Sequence, residues 1–162
     1  MLAPGLRTAW LRAPEKLAAK IELAKEGADL SSSVLDQAIV IEAIREGLIE
    51  RRLPELRKFY QVRCDAMLEA LDRFAPAGSR WTKPAGGFFI LMELGVGTDA
   101  TALLPDAIDG GVAYVPGQPF FVDGSGANTL RLAYSRETPT AIADGVERMC
   151  RVFQNARAQA KS

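Results

Sequence analysis

The chain has 162 residues, of which 48% are hydrophobic and 25% are charged, a composition typical of a globular protein with a sizeable core. Twenty basic and twenty acidic residues leave no net charge, so the balance gives no reason to expect nucleic acid or an anionic membrane as a partner. Histidine is absent, and Cys64 and Cys150 stand far apart. These facts exclude zinc-finger spacings, Cys-His and Ser-His nucleophile pairs, and acid-base chemistry by imidazole, and we expect no metal site.

The compartment is indicated by what the sequence lacks. Two lone cysteines favour a reducing environment. No apolar run approaches the roughly 18 to 20 residues that span a bilayer, and the N-terminus has no signal-peptide pattern. We therefore expect a cytoplasmic protein that binds small molecules or other protein chains.

The first half of the chain has the pattern of three helices. A proline at a first helical position, followed by apolar residues at helical spacing, predicts a helix over 14–28. Ser33 and Asp36 form a pair similar to a capping box, which opens a second helix that continues to Leu48. An amphipathic pattern predicts the third helix over 54–74.

The second half is dominated by short apolar runs separated by prolines and glycines, which predict strands. A short helix interrupts these runs, and a last helix opens with Thr138 as its N-cap. The predicted strands cover 80–83, 88–94, 112–115 and 129–134, and the inserted helix covers 99–108. The order of elements predicts an α+β fold, in which a short antiparallel sheet is covered by helices on one face.

Arg131 is the strongest single indication of chemistry, because it stands within a strand that is otherwise apolar. One interpretation is a carboxylate-binding arginine, since the planar guanidinium matches a carboxylate with two parallel hydrogen bonds. The alternatives are a salt bridge to an internal acidic residue and an edge-strand arginine that points into solvent.

Three other motifs carry a functional and a structural interpretation each. Arg7 follows a tight turn and either binds a phosphate or lies exposed near the terminus. Phe120 and Phe121 follow a proline-glycine turn, and the core is a more common place for such rings than a substrate site. Gly86 and Gly87 mark a bulge, a close approach of a ligand, or a plain hairpin turn.

Several blocks occur together in a fixed order. They are LAPGLRTAW at 2–10, PAGGFF at 84–89, GVAYVPG with a following phenylalanine at 111–120, LRLAYS at 130–135, and the helix segment at 142–146. On these blocks the chain resembles the pyridoxal-phosphate-dependent aminotransferases of fold type I, classes I and II, and within them the 2-aminoadipate or MocR-like group. The similarity extends over essentially the whole chain.

The resemblance implies roles for both arginines and a domain assignment. Arg7 matches the arginine that binds the cofactor phosphate, and Arg131 matches the arginine that binds the substrate α-carboxylate. Residues 1–47 would form the end of the large cofactor domain and the interdomain helices, and residues 48–162 the C-terminal small domain.

The family's Schiff-base lysine has no counterpart in this sequence. It would fall immediately before Met1, and no lysine occurs before Lys16. We therefore expect the C-terminal part of an aminotransferase, truncated just after the lysine, with no catalytic residue of its own.

The expected function is that of an aminotransferase fragment, from an enzyme that transfers an amino group between an amino acid and a 2-oxo acid. Alone it should be inactive, and it should not hold pyridoxal 5'-phosphate, the cofactor of the parent family. A homo-oligomer, such as a dimer, is expected, without nucleic acid or membrane. The alternatives are a non-catalytic binding or oligomerisation module and the effector-sensing part of a MocR-type regulator.

Overall fold

The structure, a computed structural model, describes residues 4–159 and divides into two compact units, Met1–Arg57 and Lys58–Ser162. Short 3-10 turns are formed by Pro4–Leu6 and Gln118–Phe120. The regular elements in chain order are α1 (Glu15–Asp29), α2 (Val34–Arg45), α3 (Leu48–Phe74), β1 (Arg80–Trp81), β2 (Phe89–Glu93), α4 (Leu104–Asp109), β3 (Val115–Pro116), β4 (Thr129–Ala133) and α5 (Pro139–Gln159).

The first unit is helical and has little core of its own. Of the residues described in this unit, Ala43 alone is buried. Large apolar side chains are exposed instead, such as Trp10 at 80% and Leu23 at 72%. The predicted cap of α2 is confirmed, because the Ser33 hydroxyl accepts a hydrogen bond from the backbone N–H of Asp36. The helices of this unit expose apolar side chains that a stable isolated fold would bury.

The third helix is longer than predicted. It begins at Leu48 and contains Pro54, which the sequence pattern placed at its start. Gly47 lies between α2 and α3 and separates them. Its φ of +63° is a left-handed conformation that cannot continue α2, and the residues that follow it have a good helix propensity. In the sequence, the boundary between the two compact units falls within α3, after Arg57. The domain boundary expected between residues 47 and 48 stays a prediction.

The second unit contains a four-stranded sheet with the order β1-β2-β4-β3, and every neighbouring pair is antiparallel. At its centre, Leu91 of β2 lies opposite Arg131 of β4, and Val115 of β3 lies opposite the same arginine. Arg131 is therefore on an interior strand, with neighbours on both sides, and the interpretation as an edge-strand arginine is wrong.

One face of this sheet carries the hydrophobic core. Inward side chains of β2 and β4 form a single buried cluster with residues of α3 and α5, among them Leu71 and Met149. Phe153 of α5 joins the same cluster and stacks edge-on against Tyr114 at 5.7 Å between ring centroids. Helices α3 and α5 pack on one face of the antiparallel sheet, which confirms the predicted α+β fold.

The inserted helix and the third strand are shorter than predicted. The Asp99 carboxylate accepts hydrogen bonds from the backbone N–H groups of Thr101 and Ala102, at 2.8 and 3.1 Å, which holds this stretch as turns before α4 begins at Leu104. Val112 donates its N–H to the carbonyl of Ala107, so it is bound to the end of α4 rather than to a strand.

None of the helices formed by residues 4–159 is long and apolar enough to cross a bilayer.

Candidate functional site

The face of the sheet opposite the core carries Arg131. Along β4, Leu130 and Leu132 point into the core and are almost fully buried, so the alternation of the strand directs Arg131 to the other face. Phe89 and Leu91 of β2 emerge on that same face and are 44% and 39% exposed. On this outer face the guanidinium of Arg131 therefore lies beside apolar side chains of β2.

Two phenylalanine rings enclose the guanidinium. The Cζ atom of Arg131 lies 4.3 Å from the ring centroid of Phe89 and 5.0 Å from that of Phe120. At these distances each ring face attracts the cation, by about 0.5–1 kcal/mol where the contact is exposed. The two rings thus restrict the position of the guanidinium.

The Nε atom of Arg131 is buried and has no hydrogen-bond partner. Arg131 also takes part in none of the ion pairs formed among residues 4–159. A buried donor without a partner costs about 1–3 kcal/mol, which an incoming acceptor would recover. The interpretation of Arg131 as the partner of an internal acidic residue is therefore wrong.

The turn at Gly117 positions Phe120, the second of the two rings. A Cβ added at Gly117 would lie 1.9 Å from Oγ1 of Thr129, so only glycine allows the turn to pass this close to β4. The 3-10 turn that follows places Phe120 beside Arg131, and Phe121 lies against Gly126. Phe120 is 58% exposed, so the interpretation of these rings as core residues is wrong.

Gly86 and Gly87 lie just before the strand that carries Phe89. Gly87 has a φ of +92°, and its carbonyl accepts a hydrogen bond of 3.0 Å from the hydroxyl of buried Tyr134. Strand β2 begins two residues later at Phe89. The hydrogen bond from Tyr134 thus holds the segment that leads into the strand that carries the first ring.

An acidic residue lies further along the outer face. Glu93 follows Leu91 by two positions on β2, so both side chains emerge on the same side of the sheet. The Glu93 carboxylate pairs with Arg80 at 3.3 Å. The charge of Arg80 is therefore already compensated, whereas that of Arg131 is not.

Arg7 lies in the first unit, directly after the turn Pro4–Leu6, and its side chain is exposed. Its φ of +51° is unusual for a residue with a side chain, and such backbone conformations often occur at functional sites. Its guanidinium has no ion pair within the described part of the chain. An exposed cation after a tight turn fits the phosphate of a cofactor.

The other reactive side chains belong to the core. Burial raises the pKa of the Cys150 thiol from 9.0 to about 12 and raises that of Cys64 as well, so neither is an activated nucleophile. Burial also raises the pKa of Tyr114 to about 12. The residues that the structure describes contain no group of three or more acidic or cysteine side chains that could hold a metal ion.

Sequence reasoning thus found the cation of the site and raised Phe120 as a possible substrate contact, but it missed the residues of β2 that lie beside the cation. Phe89 and Leu91 belong to β2, and only the register of that strand with β4 puts them beside Arg131. The alternation of β2 predicts that both residues share a face, but nothing local to the sequence identifies their neighbour.

Comparison with known proteins gives a consistent result, although no protein-family model matches the chain. The chain is 44% identical over 154 residues to the 2-aminoadipate transaminase of Thermus thermophilus, a match that covers 95% of this chain and 38% of that protein. It is 37% identical over 154 residues to aromatic-amino-acid aminotransferase 1 of Thermococcus litoralis, covering 95% of this chain and 37% of that protein. Matches to helix-turn-helix transcriptional regulators are weaker, such as one of 30% identity in Bacillus subtilis.

A solved structure agrees with the sequence matches. The α-aminoadipate aminotransferase of Thermus thermophilus, complexed with N-(5'-phosphopyridoxyl)-L-leucine, superimposes with a TM-score of 0.79 at 43% identity. The match covers 96% of this chain and 40% of that protein, over its C-terminal portion. The chain thus spans less than two fifths of the length of the curated relatives above. This chain belongs to the pyridoxal-phosphate-dependent aminotransferases of fold type I and corresponds to the C-terminal part of their fold.

Proposed function

We propose that the chain supplies the substrate-carboxylate part of an aminotransferase active site, with Arg131 as the residue that binds the α-carboxylate. The observation that carries this proposal is the guanidinium of Arg131, enclosed by two rings, with a buried Nε that has no partner. An amino acid and a 2-oxo acid both carry a carboxylate beside the reacting carbon. The same arginine would therefore orient the substrate in both halves of an amino-group transfer.

Arg7 would bind the phosphate of pyridoxal 5'-phosphate. Its exposed cation and its position after a tight turn support this role. When bound, the cofactor supplies an aldehyde and an electron sink. The residues of this chain would contribute binding and orientation, because they match the part of the family's sequence that follows its catalytic lysine.

The chain alone should therefore be inactive. We expect the purified chain, mixed with pyridoxal phosphate, an amino acid and 2-oxoglutarate, to form no detectable glutamate. Turnover by the chain alone would contradict this part of the proposal.

The role of Arg131 is tested in a fusion. The N-terminal part of the Thermus thermophilus relative, up to the start of the matched region, would be joined to this chain, and glutamate formation would be measured. We expect activity, and a loss of about 30-fold or more in kcat/KM for Arg131→Gln, since removing one member of a desolvated charge pair costs about 2–5 kcal/mol. The variant Val122→Ala, at a fully exposed position, is the control. An Arg131→Gln fusion as active as its parent would refute the role.

The remaining parts of the proposal concern assembly and location. The exposed apolar side chains of the first unit, such as Trp10 and Leu23, support an assembly with further protein, for example as a homodimer. Both cysteines are free, which supports a cytoplasmic location. Sedimentation of the chain tests the first point, because a monodisperse monomer at micromolar concentration would contradict self-association.

The similarity to transcriptional regulators supports a second candidate function, in which the same arginine binds an amino acid as an effector without turnover. This candidate predicts that the gene's full product carries a DNA-binding domain. Sequencing the transcript upstream of the first codon distinguishes the two.

A further inference from the structure

The pocket that contains Arg131 has a second polar side chain in its wall. The pocket has a volume of about 340 Å³ and lies within the second compact unit. Among the residues that line it, Arg131 and Thr82 are the polar ones. The others are phenylalanine and leucine side chains, namely Phe89, Leu91, Phe120 and Phe121.

Thr82 and Arg131 stand in one row across the sheet. Leu91 of β2 lies opposite Arg131 of β4, and the backbone N–H of Thr82 donates to the carbonyl of Leu91 at 3.0 Å. Neighbouring strands lie about 4.7–4.9 Å apart, so the backbones of Thr82 and Arg131 are about 10 Å from each other, with Leu91 between them. The long side chain of Arg131 and a bound carboxylate can together bridge that distance.

The hydroxyl oxygen of Thr82 is held in place by the sheet. It accepts a hydrogen bond of 3.0 Å from the backbone N–H of Leu91, where a regular antiparallel pair would use the carbonyl of Thr82. Within residues 4–159 this hydroxyl donates its own proton to no acceptor. A hydrogen bond accepted by a hydroxyl also polarises it and makes it a better donor. Thr82 therefore provides a fixed donor that the protein itself does not use.

A carboxylate bound in this pocket needs more donors than Arg131 provides. Its two oxygens have about four lone-pair sites, and a paired contact with the guanidinium uses two of them. The phenylalanine and leucine side chains of the wall donate no hydrogen bond. A carboxylate oxygen that leaves water without gaining a donor costs free energy, so a hydroxyl in the wall would lower the cost of binding.

We propose that the Thr82 hydroxyl is a second binding group for the α-carboxylate and donates a hydrogen bond to the carboxylate that Arg131 holds. The inference rests on the proposed carboxylate role of Arg131 and adds a residue to that site. The contact is made to the carboxylate beside the reacting carbon. It therefore serves 2-oxo acids with and without a second carboxylate alike.

The test is a titration of the 162-residue chain, labelled with ¹⁵N, by 2-oxoglutarate and by 4-methyl-2-oxopentanoate at equal ionic strength. The two acids share the α-carboxylate and differ in the rest of the molecule. The Nε–H resonance of Arg131, identified by its loss in Arg131→Gln, reports on the carboxylate. We expect both acids to shift this resonance to saturation.

Variants of Thr82 assign the hydrogen bond. Thr82→Val should weaken both acids by about tenfold, because a hydrogen bond to a charged group is lost, and Thr82→Ser should bind both within about twofold of the parent. Thr140→Val, at an exposed position of α5 outside the pocket, should alter neither. The amide spectrum shows that each variant is folded, and if Thr82→Val unfolds, Thr82→Ala takes its place.

A purely structural role of Thr82 gives a different result. Thr82→Val also removes the acceptor of the Leu91 N–H, which could displace the neighbouring arginine. Such a displacement would shift the Nε–H resonance of Arg131 before any ligand is added. We expect this resonance to stay at the parent's position in the unliganded variant, so that the weaker binding reports on the lost donor.

Four outcomes would overturn the inference. Unchanged binding of both acids by Thr82→Val would refute the contact, and so would a shifted Arg131 resonance in that variant without ligand. A loss confined to 2-oxoglutarate would assign the hydroxyl to the distal carboxylate, and a Thr82→Ser chain as weak as Thr82→Val would refute the hydrogen bond. These results leave the role of Arg131 intact, whereas binding that survives in Arg131→Gln would contradict the proposed function itself.

Discussion

The hydroxyl of Tyr134 donates a hydrogen bond of 3.0 Å to the carbonyl of Gly87 and so joins the end of β4 to the start of β2. Tyr134 is 2% exposed, so its hydroxyl has little access to water as an alternative partner. The bond connects two of the blocks by which the chain resembles its family, PAGGFF and LRLAYS. It fixes the strand that carries Phe89 next to the strand that carries Arg131.

Removing this hydroxyl should therefore destabilise the second unit. We expect Tyr134→Phe to lower the free energy of unfolding by about 1 kcal/mol, because the hydrogen bond that joins the two strands is lost. The measurement is urea denaturation followed by the fluorescence of Trp81, in a Trp10→Phe background. Tyr60→Phe is the control, since the Tyr60 hydroxyl forms no hydrogen bond with any residue from 4 to 159, and an equal effect of both variants would contradict the prediction.

The stability of the second unit should fall in alkaline solution. The folded state holds the Cys150 proton up to a pKa of about 12, whereas the unfolded value is 9.0. The unfolded chain therefore binds fewer protons than the folded chain between these pH values, and stability is lost as pH rises through the window. Tyr114 and Tyr134, both with a pKa raised by burial from 10.0 to about 12, extend the loss at higher pH.

Replacing Cys150 should remove part of this dependence. Between about pH 8 and 10 we expect Cys150→Ala to lose about 1 kcal/mol less stability than the parent chain, since one unit of pKa corresponds to about 1.4 kcal/mol. Val152→Ala, a nearby change without a titrating group, should keep the parent's slope. Identical slopes for Cys150→Ala and the parent would show that this thiol does not cause the loss.

The turn before Phe120 should not tolerate a side chain. In Gly117→Ala the new Cβ would lie 1.9 Å from Oγ1 and 2.8 Å from Cβ of Thr129, so the turn must move away from β4. We expect a loss of about 1–3 kcal/mol in the free energy of unfolding, as in other overpacked sites. Gly95→Ala, where a Cβ meets nothing within 4 Å, should cost less than half of that in the same assay, and equal costs would argue against the clash.

The cap of the last helix offers a fourth test. The Thr138 hydroxyl accepts a hydrogen bond of 3.2 Å from the N–H of Ala141, and Pro139 follows at the first helical position. We expect Thr138→Ala to lower stability by about 1 kcal/mol and Thr138→Ser to restore most of it. Thr140→Ala, at an exposed position inside the helix, is the control, and a Thr138→Ala chain as stable as its parent would exclude a capping role.

Local features of the sequence were sufficient for the helix starts at Ser33 and Thr138, because a capping hydroxyl acts on an N–H only three residues away. Element lengths were predicted less well. The strand expected over 112–115 is reduced to Val115–Pro116, because Val112 bonds to the end of α4. That bond depends on how the chain folds back after Gly111, which no local pattern reports.

The sequence by itself determined the fold class, the family and the identity of the unusual cation Arg131, because strand alternation, helix caps and the order of the blocks are all recorded in neighbouring residues. Only the tertiary structure decided what surrounds that cation. Phe89 reaches it through the register of β2 with β4, and Phe120 reaches it through the turn at Gly117. Both contacts join residues that are distant in the chain, so they are fixed by strand pairing and packing rather than by any local preference.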